Sequence, residues 1–123
     1  MKRVTMLLAA GMMLLAAASL PVIRAGAQQT GVTWDNLNEK IADAKTPADH
    51  EAIAAFYKDQ AAETRKKAEL HKRTAETYRK MNVSKPVYMA NMCDGIAAMW
   101  DKIAADYDKL AKSHEAMAKT AGS

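Results

Sequence analysis

Cysteine, proline and glycine are all scarce in this 123-residue chain, which contains one, three and five of them respectively. The single cysteine, Cys93, cannot form a disulfide within the chain, so in an oxidising compartment its thiol is buried, binds a metal or bridges two chains. The shortage of turn-forming residues argues against an all-β fold, and the frequent Ala, Lys, Asp and Met favour helices. The length allows one domain, since domains usually hold ~100–150 residues. The sequence therefore predicts a small all-α protein.

The chain also lacks the motifs of the common enzyme classes. It has no Gly-x-Ser-x-Gly, no phosphate-binding P-loop, no His-Glu-x-x-His zinc motif and no Ser-His-Asp set. The absence of Cys-x-x-Cys-His excludes covalently attached c-type haem, and the absence of Glu-x-x-His removes the signature of di-iron bundles. We therefore expect no enzymatic activity.

The first 27 residues have the layout of a secretory signal peptide. A basic start, Met1–Arg3, precedes the apolar run Val4–Leu20, and Ala25–Ala27 supplies the small residues that a signal peptidase recognises. We expect cleavage before Gln28 and an exported chain, in the periplasm or outside the cell. The alternative is an uncleaved membrane anchor, because Val4–Ile23 could just span the ~30 Å of hydrocarbon in a bilayer.

Removal of this segment changes the charge balance. Residues 28–123 contain 15 basic and 14 acidic side chains, so most of the net positive charge of the full chain belongs to the signal. A nearly neutral protein has no bulk attraction for phosphate backbones or anionic lipid. We expect no nucleic-acid partner and no stable membrane insertion of the mature chain.

Residues 28–46 are predicted to form a flexible lead followed by a short amphipathic helix. The helix covers about 34–45, and either Thr33 or Asp35 is placed to cap its first turn. Its apolar side would include Trp34, which could fold over the open end of whatever follows.

Residues 47–121 are predicted to form a long antiparallel αα-hairpin. Thr46, Pro47 and Asp49 form a helix start, and no Pro or Gly follows until Pro86. The second helix can therefore run over about 47–81, and the third over about 86–119. The residues between them make a four-residue link, which joins antiparallel neighbours.

Seven-residue spacing marks apolar columns along both long helices. Each helix has a column of alanines, which lets two backbones approach closely: Ala54, Ala61, Ala68 and Ala75, and Ala90, Ala97, Ala104, Ala111 and Ala118. Next to each lies a column in which most side chains carry a ring: His50, Tyr57, Thr64, His71 and Tyr78, and Cys93, Trp100, Tyr107 and His114. A third column on the last helix is larger and aliphatic: Met89, Ile96, Ile103, Leu110 and Met117. We expect an alanine-lined seam within one broad apolar face.

Charged columns flank the alanines with opposite sign on the two helices. They are Lys58, Arg65, Lys72 and Arg79 on the second helix, and Asp94, Asp101, Asp108 and Glu115 on the third. Exposed ion pairs add little stability, but they can fix orientation and register because a wrong pairing opposes like charges. The columns could meet within one hairpin, meet between two chains, or remain two solvated stripes.

A cluster of soft ligands is predicted near the link. If residues whose numbers add up to about 167 lie opposite each other, His71, Met89, Met92 and Cys93 gather there together with Met81. Thioether, thiolate and imidazole groups are the ligands that Cu(I) prefers, so these four residues are a candidate copper-type site. The plainer interpretation, which we favour, is that Met89 and Cys93 pack in the core and that His71 is a packed imidazole.

The same register brings His50 and His114 within about one turn of each other at the other end of the hairpin. Their position near helix ends favours solvent-facing side chains that complement the helix dipole.

Two stretches resemble a family of small exported bacterial α-helical hairpin proteins of uncharacterised function. The stretches are His71-Lys-Arg-Thr-Ala-Glu-Thr-Tyr78 and the segment from Cys93 to Ala118. The family pairs a His-x-x-x-Ala-x-x-Tyr helix with a His-Cys helix rich in Ala, Lys and Glu, and the resemblance covers about 47–119. Met92 stands where the family pattern has its first His. The resemblance implies the hairpin fold and no particular activity.

A hairpin with so much apolar surface needs a cover. Either the Trp34 helix folds over it or two hairpins associate into a four-helix dimer. Symmetric homodimers are the commonest oligomers. We expect an exported interaction or structural protein that acts through its Ala/Ile/aromatic face on itself or another helical partner. The alternatives are a periplasmic soft-metal binding protein and a small holdase-like chaperone, the latter because Met side chains adapt to varied partners.

Overall fold

The structure, a computed structural model, describes residues 30–81, 84 and 86–123. This part of the chain contains three helices: α1 (Leu37–Asp43), α2 (Pro47–Lys80) and α3 (Pro86–Ala121). Helices α2 and α3 pack along their whole length, and α1 packs on α2. The predicted all-α hairpin is thus confirmed. The predicted signal peptide, and the link apart from Ser84, lie outside the described residues.

The start of α2 is held by a reciprocal cap. The Thr46 hydroxyl accepts a hydrogen bond from the Asp49 N–H at 3.2 Å, and the Asp49 carboxylate accepts one from the Thr46 N–H at 2.9 Å. The same carboxylate accepts a further bond from the Lys45 N–H at 3.1 Å. These bonds satisfy amides that have no partner inside the helix, and they confirm the predicted start.

Helix α1 begins later than predicted, at Leu37 rather than at residue 34. The Thr33 N–H donates to the Asn36 side chain at 2.8 Å, and the Asn36 N–H donates to the Thr33 hydroxyl at 3.4 Å. These bonds close a turn ahead of the helix. Thr33 therefore caps this turn, and Asp35 does not take the role proposed for it.

The two alanine columns form the seam between α2 and α3, as predicted. Every alanine in both columns is buried, and Ala61, Ala68, Ala75 and Ala90 are completely inaccessible. Small side chains allow the helix axes to approach, so a continuous packed strip forms without large residues. We call it the alanine seam.

One side of the alanine seam carries a ladder of ion pairs. The four predicted pairs all form between the helices: Lys58 with Glu115, Arg65 with Asp108, Lys72 with Asp101 at 2.9 Å, and Arg79 with Asp94. In each pair the two residue numbers add up to 173, so one register holds along the whole hairpin. The charged columns therefore meet within one chain, which settles the alternatives that the sequence left open.

The aliphatic column of α3 is not part of this packed face. Met89, Ile103, Leu110 and Met117 are exposed and Ile96 is half-buried. The expectation that Met89 fills the core is wrong. Because the alanines contact α2, the neighbouring aliphatic column is turned away from it, on the far side of the ring column.

Candidate functional site

The side of the alanine seam opposite the ion pairs carries stacked rings, and we call it the ring side. The residues of this α2 column from Tyr57 to Tyr78 each lie three residues after an alanine of the seam, and each ion-pair cation lies four residues after one, so the two columns flank the seam. Tyr57 stacks on Tyr107 with centroids 6.1 Å apart and on His114 at 6.0 Å. His114 in turn contacts His50, with centroids 5.4 Å apart.

The two histidines at the open end, where α2 begins and α3 ends, form a direct contact. Their Nδ1 atoms lie 3.2 Å apart. His114 is buried and His50 is half-buried, so the expectation that both face solvent is wrong. Burial lowers the pKa of His114 below its ordinary value, with a further lowering from the charge of His50. Burial therefore favours the neutral form of the His114 ring.

Residues 32–37 cover the ring side at its open end. Val32 and Leu37 are buried against the cluster that contains Ile53, Phe56 and Tyr57. The Trp34 ring packs edge-on against Phe56 at 4.9 Å and lies 5.9 Å from Tyr107, and its Nε1–H donates to the Gln60 side chain at 3.2 Å. We call this segment the N-terminal cover. It closes only the half of the ring side that is farther from the link.

The half nearer the link holds the candidate soft-metal residues. His50 pairs with His114 and Tyr57 with Tyr107, and in both pairs the residue numbers add up to 164. The same register places Cys93 opposite His71, and both are half-buried. The predicted value of about 167 lies between the registers of the ring side and the ion-pair side.

The methionines of the candidate site are more exposed than His71 and Cys93. Met81, Met89 and Met92 are all exposed, with Met92 more than half exposed at 51%. Among the described residues, no three His, Cys, Asp or Glu side chains come close enough together to hold a metal ion. Any protein ligands beyond His71 and Cys93 would therefore have to be methionines that turn inward.

A row of exposed apolar side chains runs along the outer surface of α3. It consists of Met89, Met92, Ile96, Met99, Ile103, Leu110 and Met117, and we call it the outer stripe; Ile96 is half-buried and the others are exposed. Met99 is the most open of them, at 62%. The spacing alternates between three and four residues from Met89 to Ile103, which is the pattern of a coiled-coil seam.

The outer stripe is interrupted by a single charged group. Asp106 takes the position after Ile103 and is paired with Lys102 at 3.1 Å and with Lys109 at 2.9 Å. Hydrogen bonds from these two lysines lower the pKa of Asp106. The uninterrupted apolar part therefore runs from Met89 to Ile103.

The aliphatic column of the outer stripe was predicted to pack within one broad apolar face, but most of its side chains are exposed. The predicted register brought His50 and His114 within about one turn of each other, but their direct contact and the burial of His114 were not expected. The signal for burial was that His114 continues the column of Tyr107 and His50 the column of Tyr57. The N-terminal cover was predicted as one of two alternatives, and the structure contains it.

Helix α3 is the most apolar described helix, but no described helix has an apolar stretch long enough to cross a bilayer.

Comparisons with protein-family models, with curated proteins and with solved structures found no match to this chain.

Proposed function

We propose that this chain is an exported, non-enzymatic helical protein that acts by binding through the outer stripe, and that the partner is a second copy of the chain. The observation that carries the proposal is the stripe itself, a coiled-coil pattern on a helix that already has a partner on another side. The alanine seam uses one side of α3, and no other described helix packs on the stripe, so a second helix can bind there.

The size of the stripe fits a stable interface. From Met89 to Ile103 the stripe, with the neighbouring exposed Tyr88, forms an uninterrupted apolar strip along α3. Single proteins rarely expose patches larger than ~300–600 Å² without a function. Standard interfaces bury about 800 Å² on each partner, and we expect the stripe from Met89 to Met117 to supply much of this area when two copies pair.

The arrangement of the stripe also suits pairing with itself. A two-fold axis near Met99 would bring Ile96 of one copy opposite Ile103 of the other and Met89 opposite Leu110. The four helices would then form a bundle with the two α3 helices in its centre. Symmetric pairing of this kind uses the same patch on both subunits.

Cysteine crosslinking tests this arrangement. In a Cys93→Ser background, Met99→Cys should oxidise to a disulfide-linked dimer, because the two thiols would face each other across the axis. Ala98→Cys is the matched control, since residue 98 is also exposed but lies on another side of α3. Equal crosslinking of the two variants would contradict pairing through the stripe.

Light scattering provides the second measurement. Residues 28–123 should form a discrete dimer under reducing conditions, and Met99→Lys should convert it to a monomer while Ala98→Lys should not. A wild-type monomer at high micromolar concentration would exclude the second copy as partner. The exposed methionines would then be tested by asking whether the protein suppresses the aggregation of a denatured client, as a holdase does.

A soft-metal function is a second candidate, favoured by the register that places Cys93 opposite His71. A thiolate and an imidazole facing each other across two helices are suitable ligands for Cu(I). Anaerobic Cu(I) titration should give tighter binding for the wild type than for Cys93→Ala and His71→Ala. Equal affinity in all three proteins would remove the pair from any copper site.

Export rests on the first 27 residues. N-terminal sequencing of protein recovered from the producing cells should give a chain that begins at Gln28. A mature chain that retains residues 1–27 and stays with the membrane fraction would instead support the anchor.

A further inference from the structure

We propose that the His50–His114 pair is a pH-sensitive latch, which holds the open end of the hairpin closed while it carries at most one proton and releases it when both rings are protonated. This role is independent of the function proposed for the outer stripe. It concerns the end of the molecule where the N-terminal cover is attached.

The geometry of the pair is that of a hydrogen bond between two rings. The ring centroids are 5.4 Å apart and the two Nδ1 atoms are 3.2 Å apart. The difference between these two distances is close to twice the distance from the centre of an imidazole ring to its nitrogen. The two nitrogens therefore point almost directly at each other. One ring must donate an Nδ1–H and the other must accept with a lone pair, so the rings hold opposite tautomers or share one proton.

The same geometry argues against a metal ion between the rings. Zinc binds imidazole nitrogen at about 2.0–2.1 Å, so an ion bound to two nitrogens this close would lie off the line that joins them. Both lone pairs would then have to tilt away from that line. In the described part of the chain no third His, Cys, Asp or Glu side chain completes such a site.

Double protonation breaks this contact for two reasons. Each Nδ1 would then carry a hydrogen pointing at the other, and two positive charges would face each other in a partly buried place. Like charges at short range strongly disfavour the doubly charged state. The rings must either turn away from each other or move apart. Because His114 is buried and stacked on Tyr57, we infer that they move apart and that the helix ends which carry them separate.

Among the described residues, the charged groups next to the pair form no hydrogen bond or ion pair with either ring, so they do not offset this repulsion directly. On α2, the Asp49 carboxylate attracts positive charge at His50 but accepts its hydrogen bonds from the amides of Lys45 and Thr46. On α3, Glu115 is engaged by Lys58 of α2.

Two phenols also lie near the pair. Tyr57 stacks on His114, and burial raises the pKa of Tyr57, so this ring stays neutral. Tyr107 lies beyond Tyr57 in the stack. The N-terminal cover reaches this stack through Trp34, which does not titrate, and α1 packs on α2 rather than on α3.

The latch is connected to the N-terminal cover through stacked rings. His114 stacks on Tyr57, Tyr57 stacks on Tyr107, and Tyr107 contacts Trp34. Separation of the helix ends would disturb each of these contacts in turn. Acid should therefore loosen the open end and its cover before it affects the half of the hairpin nearer the link.

Nitrogen-detected NMR titration of the wild-type chain tests the shared proton without a mutation. Above pH 7, His50 and His114 should show opposite tautomers, and on acidification they should take up protons in two steps separated by more than about one pH unit. Two independent titrations near the ordinary histidine value, with the same tautomer on both rings, would overturn the proposal.

Single-tryptophan variants test the opening. Trp100→Phe leaves Trp34 as a reporter of the open end, and Trp34→Phe leaves Trp100 as a reporter of the other half. Between pH 7.5 and 4.5 the Trp34 emission should shift to longer wavelength while the Trp100 emission changes much less. The Trp34 shift should disappear in His50→Gln/His114→Gln and persist in the control His71→Gln.

Two results would contradict the latch. Equal shifts at both tryptophans would indicate global acid unfolding, and a Trp34 shift that survives in the double variant would assign the transition to other groups. Far-UV circular dichroism at pH 7.5 establishes that each variant is helical before the titration.

Discussion

At the scale of single residues, Asp49 shows how a side chain can fix where a long helix begins. Its carboxylate accepts hydrogen bonds from the amides of Lys45 and Thr46, and these bonds lower its pKa to about 2. The charge also lies in the first turn of α2, where the helix dipole favours an anion. The sequence predicted this start because Thr46, Pro47 and Asp49 occupy the N-cap, first and third positions of the helix, where these residue types are favoured.

The cap gives a defined pH dependence. The pKa of Asp49 is about 2 in the folded chain and 3.8 in its unperturbed state, so its contribution to stability is complete above pH ~4 and is lost as the pH falls towards 2. In urea unfolding followed by circular dichroism, Asp49→Asn should flatten the loss of stability over this range. Asp59→Asn, a change at another α2 carboxylate, should leave the slope in place; equal slopes in all three proteins would contradict the assignment.

The Thr46 hydroxyl supports the same turn from the other direction. Thr46→Ala should lower the free energy of unfolding at neutral pH by about 1 kcal/mol, the usual cost of losing a helix N-cap. Thr46→Ser keeps the hydroxyl and should recover most of this loss. If the two variants unfold at the same urea concentration, the hydroxyl does not carry the effect.

At the scale of helices, the alanine seam decides how α2 and α3 approach each other. The sequence predicted the alanine seam, because small side chains repeat every seven residues on both helices, but it left open whether the charged columns meet within one hairpin. It also did not show that the aliphatic column of α3 would lie outside the seam, because periodicity shows that neighbouring columns are apolar and not how many of them α2 can cover. The alanine column allows it, and Met89 and its aliphatic neighbours are therefore left outside.

Enlarging one alanine tests the close approach. Ala68 is fully buried in the middle of the seam, so Ala68→Leu should force the helices apart and destabilise the chain by about 1–3 kcal/mol. Ala62→Leu makes the same change at an exposed position of α2 and should have little effect on the urea midpoint. Similar midpoints for the two variants would mean that the helices are not closely packed there.

The ion-pair ladder contributes to register more than to stability. Arg65→Asp places a carboxylate opposite Asp108, and Asp108→Arg places a cation opposite Arg65, so each single change should lower the melting temperature. The double variant restores an opposite-charge pair and should recover most of the loss. These differences should shrink in 1 M salt, because exposed charges are screened; additive losses in the double variant would show that the two side chains do not interact.

At the scale of the whole molecule, the chain divides into a continuous hairpin and a small cover attached at one end. The hairpin follows from repeated local patterns, which is why its helices and their direction could be predicted. The contacts of the cover join residues far apart in sequence, such as Trp34 and Tyr107, and no sequence repeat predicts these contacts. The predicted register placed the two histidines, 64 residues apart, within about one turn of each other, but it did not show that their rings would be in contact.

The cover should detach without unfolding the hairpin, because α1 is short and contacts α2 over a small area. Trp34→Ala removes the contacts with Phe56 and Tyr107 and the hydrogen bond to Gln60. Aromatic pairs contribute ~0.5–1.5 kcal/mol each beyond their burial, so amide exchange in residues 32–43 should accelerate by at least about tenfold.

Hydrogen exchange measured by mass spectrometry separates this local release from global destabilisation. Protection in the centre of α2 and α3 should be retained in Trp34→Ala, and Trp100→Ala should leave the exchange of residues 32–43 unchanged. Loss of protection along the whole of α2 in Trp34→Ala would show instead that the cover folds together with the hairpin as one cooperative unit. In that case acid release of the histidine pair would unfold the hairpin as a whole rather than open one end of it.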